Sequence, residues 1–216
     1  MPPKNQILPA IIAQNQKELT TMLNKIPFAE NIMLDLMDGK FVASSSLDFP
    51  MKLPEGQQYQ LHMMAVDPLE RIKTIPPQVD TVIIHAEALD NIEQAIAAAE
   101  KQDLKLFIAL NPQTPVPTVE PYLEKLNGVL IMSVNPGQYG AKFLPEQLEK
   151  VRALREKSKT INIEVDGGMS DKTIGLAVAA GANMIASGSF IMKSLDPEAA
   201  YNILPVSYTH LRAHET

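Results

Sequence analysis

The sequence predicts a single-domain α/β fold, a (β/α)8 TIM barrel. Three observations carry this. Eight short apolar runs recur along the chain, starting about every 25 residues with one longer gap of about 33, a spacing suited to strand-plus-helix units. Helical patterns lie between the runs, and alternation of strands with helices implies a parallel sheet. No Gly-x-Gly-x-x-Gly follows the first run, which argues against the competing open, doubly wound sheet. A length of 216 residues fits one such barrel at the short end of its size range.

The strand-like runs are Ile7–Ala13, Ile32–Met37, Tyr59–Met64, Thr81–His85, Leu104–Leu110, Val129–Val134, Asn162–Val165 and Met184–Ala186. Helical patterns cover Lys17–Asn24, Asn91–Lys101, Pro145–Ser158 and Ser170–Ala180. Asn91 is a natural N-cap, and the ten residues after it are good helix formers. Pro145–Ser158 carries acids early and bases late, as the helix dipole prefers. Ser170–Ala180 runs from a Ser/Asp cap to Gly181, a C-terminal signal. Lys40–Gln58, rich in Ser, Pro and Gly, reads as a long loop. The four prolines of Asn111–Pro121 bar regular structure there until about Val119. A further helix covers Pro197–Leu204. The barrel is expected to span residues 1–204. Residues 205–216 continue no apolar periodicity and are expected to be an unstructured tail. Ser207–Thr216 looks like translated cloning or sequencing-adapter sequence, so His210 and His214 are given no functional weight.

Composition excludes several classes. A net charge of -6 argues against a general nucleic-acid binder. No apolar run reaches the length of a membrane span, and no secretory signal is visible. The absence of cysteine removes disulfide and thiolate chemistry and makes a cytoplasmic protein the simple reading.

In a barrel of this kind, inward residues at the strand C-termini meet at one mouth. Alternation places Met33, Asp35 and Met37 on one face of the second strand and Ile32, Leu34 and Leu36 on the other. Asp35 stands out, because a carboxylate inside an apolar run is costly unless paired, hydrogen-bonded or metal-bound. Asp38, before Gly39, reads as a turn residue. The same alternation brings in His62 and Met64, then Ile83, His85 and Glu87, then Met132, then Glu164 and Asp166. Two aspartates and one or two histidines thus converge among methionines. That set suits a divalent metal with N/O ligands and equally suits two-carboxylate acid–base chemistry. A lone strand histidine is more often a hydrogen-bonded core residue, so it is the convergence that points to a site.

The turns after strands six, seven and eight, Asn135–Gly140, Asp166-Gly167-Gly168 and Ser187-Gly188-Ser189, are glycine-rich. Glycines let backbone N–H groups approach an anion, and the last two turns occupy the usual phosphate cradle of this fold. Gly137, Gly140, Gly167, Gly168, Gly188 and Ser189 are the candidate phosphate-binding residues. The plainer alternative is that these are tight strand-to-helix turns.

At these residues the chain resembles the ribulose-phosphate 3-epimerase family, from about Leu8 to Leu204. The similar motifs are Leu34-Asp35-Leu36-Met37-Asp38-Gly39-Lys40-Phe41-Val42, Leu61-His62-Met63-Met64 with Pro68, His85-Ala86-Glu87-Ala88, Ala109–Pro115, Met132-Ser133-Val134-Asn135-Pro136-Gly137, Lys142-Phe143 and Ile163–Gly168. The resemblance implies an isomerase of the pentose phosphate pathway. One aspartate would remove the C3 proton of a ketose phosphate such as D-ribulose 5-phosphate, and the other would return a proton to the opposite face. The resemblance makes Asp35 and Asp166 these acids. It also makes them ligands, with His62, of a divalent metal (Zn, Mn or Fe) that polarises the ketone and stabilises the enediolate. Met37, Met64 and Met132 would shield that intermediate. A sugar phosphate is then the expected partner, with no nucleic acid and no membrane, and homo-oligomers are common in the family.

The chain also departs from the family pattern. The fourth metal ligand of the family, a histidine two residues before the first aspartate, is Met33 here, and a thioether is a poor ligand for these ions. His85 is the candidate to compensate. Ala10 stands where the family has a serine, the Asn that follows Phe-Val-Pro is missing from Phe41-Val42-Ala43-Ser44, and Tyr139 stands where the family has glycine. These differences keep two alternatives open: a related sugar-phosphate epimerase with weak or no metal dependence, and a catalytically silent barrel that binds a phosphosugar.

Overall fold

The computed structural model describes residues 4–137 and 141–212. Its strands are β1 (Gln6–Ile11), β2 (Asn31–Asp38), the two-residue β3 (Ser45–Ser46), β4 (Gln58–Met64), β5 (Val79–His85), β6 (Lys105–Leu110), β7 (Gly128–Met132), β8 (Asn162–Asp166) and β9 (Met184–Ser187). All but β3 run parallel, and β1 pairs with both β2 and β9, which closes an eight-stranded barrel. Strand β3 is antiparallel to the end of β2, with Ser46 opposite Met37 and Ser45 opposite Asp38. It holds the long loop after β2 against the barrel mouth.

The pleat explains why the strands read as nearly continuous apolar runs: both faces are buried. On β2, Ile32, Leu34 and Leu36 join the outer core between sheet and helices, whereas Met33 joins the barrel interior with Leu8, Ile83, Phe107 and Leu130. Met37 belongs to a third, small cluster at the mouth with Val42 and Met64. Register is therefore strongly specified. A one-residue slip of β2 would turn Asp35 onto the helix layer and bury a carboxylate where nothing can meet it.

The helices are α1 (Gln16–Leu23), α2 (Pro68–Arg71), α3 (Ile92–Lys101), α4 (Leu148–Lys157), α5 (Ile174–Ala180), α6 (Ser189–Met192) and α7 (Pro197–Arg212). Asn15 caps α1 by accepting from Glu18 N at 3.0 Å, while Glu18 Oε2 accepts from Gln14 N at 2.9 Å. Asn91 caps α3 through Glu93 N at 2.7 Å, and α3 buries Ile92, Ala95, Ile96 and Ala99, one stripe at helical spacing. Helix α5 ends at Gly181 in the left-handed conformation, φ 112°.

Several boundaries differ from the sequence reading. Strands β1 and β7 stop at Ile11 and Met132, before Ala13 and Val134. Pro145–Gln147 is a 3-10 turn ahead of α4. Helix α5 starts at Ile174 rather than Ser170. Thr173 Oγ1 donates to Gly168 O at 2.8 Å and accepts from Ser170 N at 2.9 Å, so hydroxyls hold this segment as a turn. Two 3-10 turns, Val116–Thr118 and Glu120–Tyr122, stand where the prolines after Asn111 exclude an α-helix. The expected unstructured tail from residue 205 is not what the backbone shows: α7 continues through Pro205 to Arg212. Pro205 forfeits its own hydrogen bond, but in a helix already nucleated each later residue still gains one. Residues 213–216 lie outside the described part. No helix among the described residues is long and apolar enough to cross a membrane.

Candidate active site

The C-terminal ends of the strands bring the sequence candidates to one mouth. A single pocket there is lined by Asp35, Met37, Met64, Met132 and Asp166, by Gly137, Gly167, Gly168, Gly188 and Ser189, and by Ala10. Gly140 and Tyr139 lie outside the described residues. His62 does not line the pocket. It is fully buried behind Asp35, its in-register neighbour on β2. Met33 is also fully buried, below Asp35 in the barrel interior.

His62 links the two acids. Its Nδ1 lies 3.0 Å from Asp35 Oδ1 and 3.8 Å from Asp166 Oδ2. One donor atom from each of Asp35, His62 and Asp166 falls within 4.8 Å of the others, so the three could share one cation. Two carboxylates and an imidazole are the hard-to-borderline donors that Zn²⁺, Mn²⁺ and Fe²⁺ accept. Burial disfavours a charged His62, but the hydrogen bond to Asp35 and the charges of Asp35 and Asp166 outweigh it, and its pKa is raised. Burial, then the neighbouring charge of Asp35, pushes the Asp166 carboxyl up to about 7. A carboxyl with that pKa gives and takes protons readily near neutrality.

The remaining inward candidates divide. Glu164 is fully buried, and neither of its carboxyl oxygens has a hydrogen-bond partner. Burial and the charges of Asp166 and Asp35 hold its pKa well above the carboxylate range, so it is a neutral acid beneath the site. His85 does not join the acids as a compensating ligand; its Nε2 meets His62 Nε2 at 2.9 Å. Burial lowers His85 to about 4. Glu87, which alternation directs to the mouth, lies instead on a 3-10 turn after β5. It turns to the loop after β6, where its Oε1 accepts from Asn111 N at 3.0 Å and from the Thr114 hydroxyl. Burial opposes its ionisation, but hydrogen bonds from His85, Thr114 and Asn111 prevail and bring the carboxyl down to about 2.

Geometry excludes a side chain at Gly167 and Gly137 as well as at Gly168, whose φ is 66°. Gly167 has φ 111°, and a Cβ there would sit 2.4 Å from Val134 Cγ2. Gly137 has φ 90°, and a Cβ there would meet Val42 at 2.7 Å. Ser44 Oγ donates to Gly137 O at 2.6 Å, which ties the loop after β2 to the loop after β7 across the mouth.

Asp38 is the turn residue its sequence suggests. Oδ1 accepts from Lys40 N and Phe41 N, both at 2.8 Å, and Oδ2 accepts from Val66 N at 2.9 Å. Partial burial raises its pKa, but these backbone donors prevail and lower it. A depressed carboxyl contributes stability that is fully present above the unfolded value of about 3.9 and is lost as pH falls through the folded value. Asp38→Asn is therefore expected to cost about 1–2 kcal/mol at pH 7. In urea titrations at falling pH, the gap between wild type and variant should close below about pH 4; a gap unchanged at about pH 3 would show that charge is not what the loop uses.

Comparison with known proteins agrees with this geometry. Residues 4–192 match the Ribulose-phosphate 3 epimerase family. Ribulose-phosphate 3-epimerase of Schizosaccharomyces pombe is 33% identical over 224 residues, covering 98% of this chain and 96% of that protein. The Bacillus subtilis protein of that name is 31% identical, covering 80% of this chain and 84% of its own length. The cytoplasmic isoform from Oryza sativa is 35% identical over 78% of each chain. Solved structures share the fold at lower identity: KGPDC from Streptococcus mutans superposes with a TM-score of 0.71 at 14% identity, covering 96% of this chain and 99% of that one. A 3-hexulose-6-phosphate synthase gives 0.67 at 17% identity, covering 94% and 99%. The fold, the motifs and these relatives agree that the chain belongs to the ribulose-phosphate 3-epimerase family, a family of carbohydrate isomerases.

Proposed function

We propose that this chain interconverts D-ribulose 5-phosphate and D-xylulose 5-phosphate by moving the proton at C3. The observation that carries the reading is the convergence of Asp35 and Asp166, from strands separated by β1 and β9, in one pocket and on one histidine buried behind it. One carboxylate takes the C3 proton, which is acidic because it lies α to the C2 ketone. The C3–H electron pair moves into the enediolate. The other acid then returns a proton to the opposite face of C3, and the ketone re-forms with inverted configuration. Two acids allow this without turning the substrate over.

A divalent cation held by Asp35, His62 and Asp166 would supply positive charge opposite the oxyanion that develops at C2. Met37, Met64 and Met132 offer an apolar wall against water, which would otherwise protonate the enediolate from either side. The turns at Gly137, Gly167–Gly168 and Gly188–Ser189 provide backbone N–H groups for the phosphate. Met33 at the position of a family ligand favours one variation of this reading, an epimerase with reduced metal dependence.

Exchange of the C3 hydrogen tests the proposal directly. The protein is incubated with D-ribulose 5-phosphate in D2O, with and without Zn²⁺ or Mn²⁺, and C3 deuteration and xylulose 5-phosphate are followed by NMR. Both should appear together. No exchange under any metal would leave a barrel that binds phosphosugars without turning them over.

A further inference from the structure

His62 and His85 are joined nitrogen to nitrogen. Their Nε2 atoms are 2.9 Å apart, the ring centres are 5.0 Å apart, and the planes differ by only 20°. Two imidazoles in that relation share one proton between the facing nitrogens. Phe41 packs on the His85 ring at 4.9 Å and both histidines are fully buried, so neither ring is free to turn away. The other nitrogen of His85, Nδ1, lies 3.4 Å from Glu87 Oε2, and the Asn111 side chain also acts on the ring.

The shared proton has two placements. If it sits on His62 Nε2, then His85 carries its own proton on Nδ1, toward Glu87, and a neutral His62 has a bare lone pair on Nδ1, toward Asp35 and Asp166. If it sits on His85 Nε2, then His85 Nδ1 turns a lone pair on the Glu87 carboxylate, and the proton of His62 moves to Nδ1. Only the first placement lets His62 bind a cation between the two acids.

Without metal, Asp35 also asks for a donor, 3.0 Å from His62 Nδ1, and a proton on each His62 nitrogen satisfies it together with the first placement. Once a cation takes the place of the Nδ1 proton, Glu87 decides between the two placements. An ionised carboxylate can accept and cannot donate. Its Oε1 is already taken by Asn111 N and the Thr114 hydroxyl, which aims Oε2 at His85. The loop that supplies those donors is itself pinned, since Lys150 Nζ donates to Asn111 O and Pro112 O, each at 2.8 Å.

We propose that His85 and Glu87 are positioning residues that fix the tautomer of His62, so that its Nδ1 is presented as a lone pair to the metal held with Asp35 and Asp166. This rests on the metal reading of the site given above. The relay runs Glu87, His85, His62, and its far end sits on the turn after β5, held against the loop after β6 and outside the pocket.

The decisive variant is Glu87→Gln. Its amide oxygen can keep Asn111 and Thr114, and its NH2 then replaces the acceptor facing His85 with a donor. That inverts the whole relay. Glu87→Ala removes the acceptor without adding a donor. Affinity for Zn²⁺ and Mn²⁺, measured by calorimetry, should therefore fall in the order wild type, Glu87→Ala, Glu87→Gln, with the isosteric variant weakest by about 10–100-fold. A packing role would give the reverse order, with Ala worse than Gln, and would overturn the proposal. The tautomers are read independently from long-range ¹H–¹⁵N correlations of the histidine rings. In wild type, His85 should carry its proton on Nδ1, both metal-free and with Zn²⁺. In Glu87→Gln it should carry it on Nε2. The metal-free spectra separate this idea from the metal reading. If wild type binds no metal but the His85 proton still moves in Glu87→Gln, the relay stands and only the metal assignment falls. If the His85 proton stays on the same nitrogen in both proteins, the relay is wrong whatever the metal does.

Discussion

Asp35→Asn and Asp166→Asn are each expected to lower the rate of ribulose 5-phosphate to xylulose 5-phosphate conversion by about a thousandfold or more, since acid–base catalysis alone is worth about 10²–10⁴. The two losses should differ in kind. With two acids on opposite faces of C3, each acid deprotonates only the epimer whose C3–H points at it. An asparagine cannot take that proton. The surviving acid can still remove and return the proton of its own epimer, on its own side. Each variant should therefore exchange C3 deuterium into one epimer and not the other, and the two variants should choose opposite epimers. The experiment is run at saturating metal, because both side chains are also proposed ligands and a loss of affinity would otherwise mask the pattern. If either variant kept full interconversion, or if both exchanged the same epimer, the assignment of one acid to each face would fail. The raised Asp166 carboxyl adds a pH component. In the metal-free protein, Asp166 changes charge near pH 7, so the apparent affinity for a cation should rise with pH through that region, as the competing proton is lost.

Much of this site is legible in the sequence, for identifiable reasons. A period of two, applied to β2, separates Met33, Asp35 and Met37 from Ile32, Leu34 and Leu36, and the interior and outer cores divide along that line. Parallel strands alternating with helices imply a common end for the inward residues, and the pocket is lined from that end. Asp35 is visible because a lone acid in an apolar run is costly. What sequence cannot supply is which atom meets which. Alternation turns His85 inward and makes it a candidate ligand, but in the folded barrel its Nε2 meets His62 Nε2 instead. Counting by two also sends Glu87 to the mouth. The strand ends at His85, the backbone enters a 3-10 turn, and the period no longer applies. The start of α5 differs for a related reason: Ser170 and Thr173 are good caps, but their hydroxyls bond locally and hold a turn instead.

Met33→His should cross two effects. Met33 is fully buried on the same face of β2 as Asp35, among Leu8, Ala10, Ile83 and Phe107. A histidine is close to methionine in volume, so the barrel interior needs little repacking. Without metal, its ring nitrogens would be buried in apolar surroundings with no evident partner, a cost of about 1–3 kcal/mol. The metal-free variant should melt lower than wild type. With metal, the same imidazole becomes a fourth nitrogen or oxygen donor beside Asp35, His62 and Asp166, in place of a thioether that binds these ions poorly. Affinity for Zn²⁺ or Mn²⁺ should then rise by at least about tenfold, which is ~1.4 kcal/mol. Because a ligand that binds the folded state stabilises it in proportion to log([L]/Kd), the thermal shift on adding metal should be larger for the variant than for wild type. A lower metal-free melt together with a larger metal-induced shift is thus expected from one substitution. A purely structural change would lower both melts alike and leave the metal-induced shift unchanged. Equal metal affinity in the two proteins would mean that the cation is held by a donor set that does not pass through this position, and the family's fourth ligand would have no counterpart at residue 33.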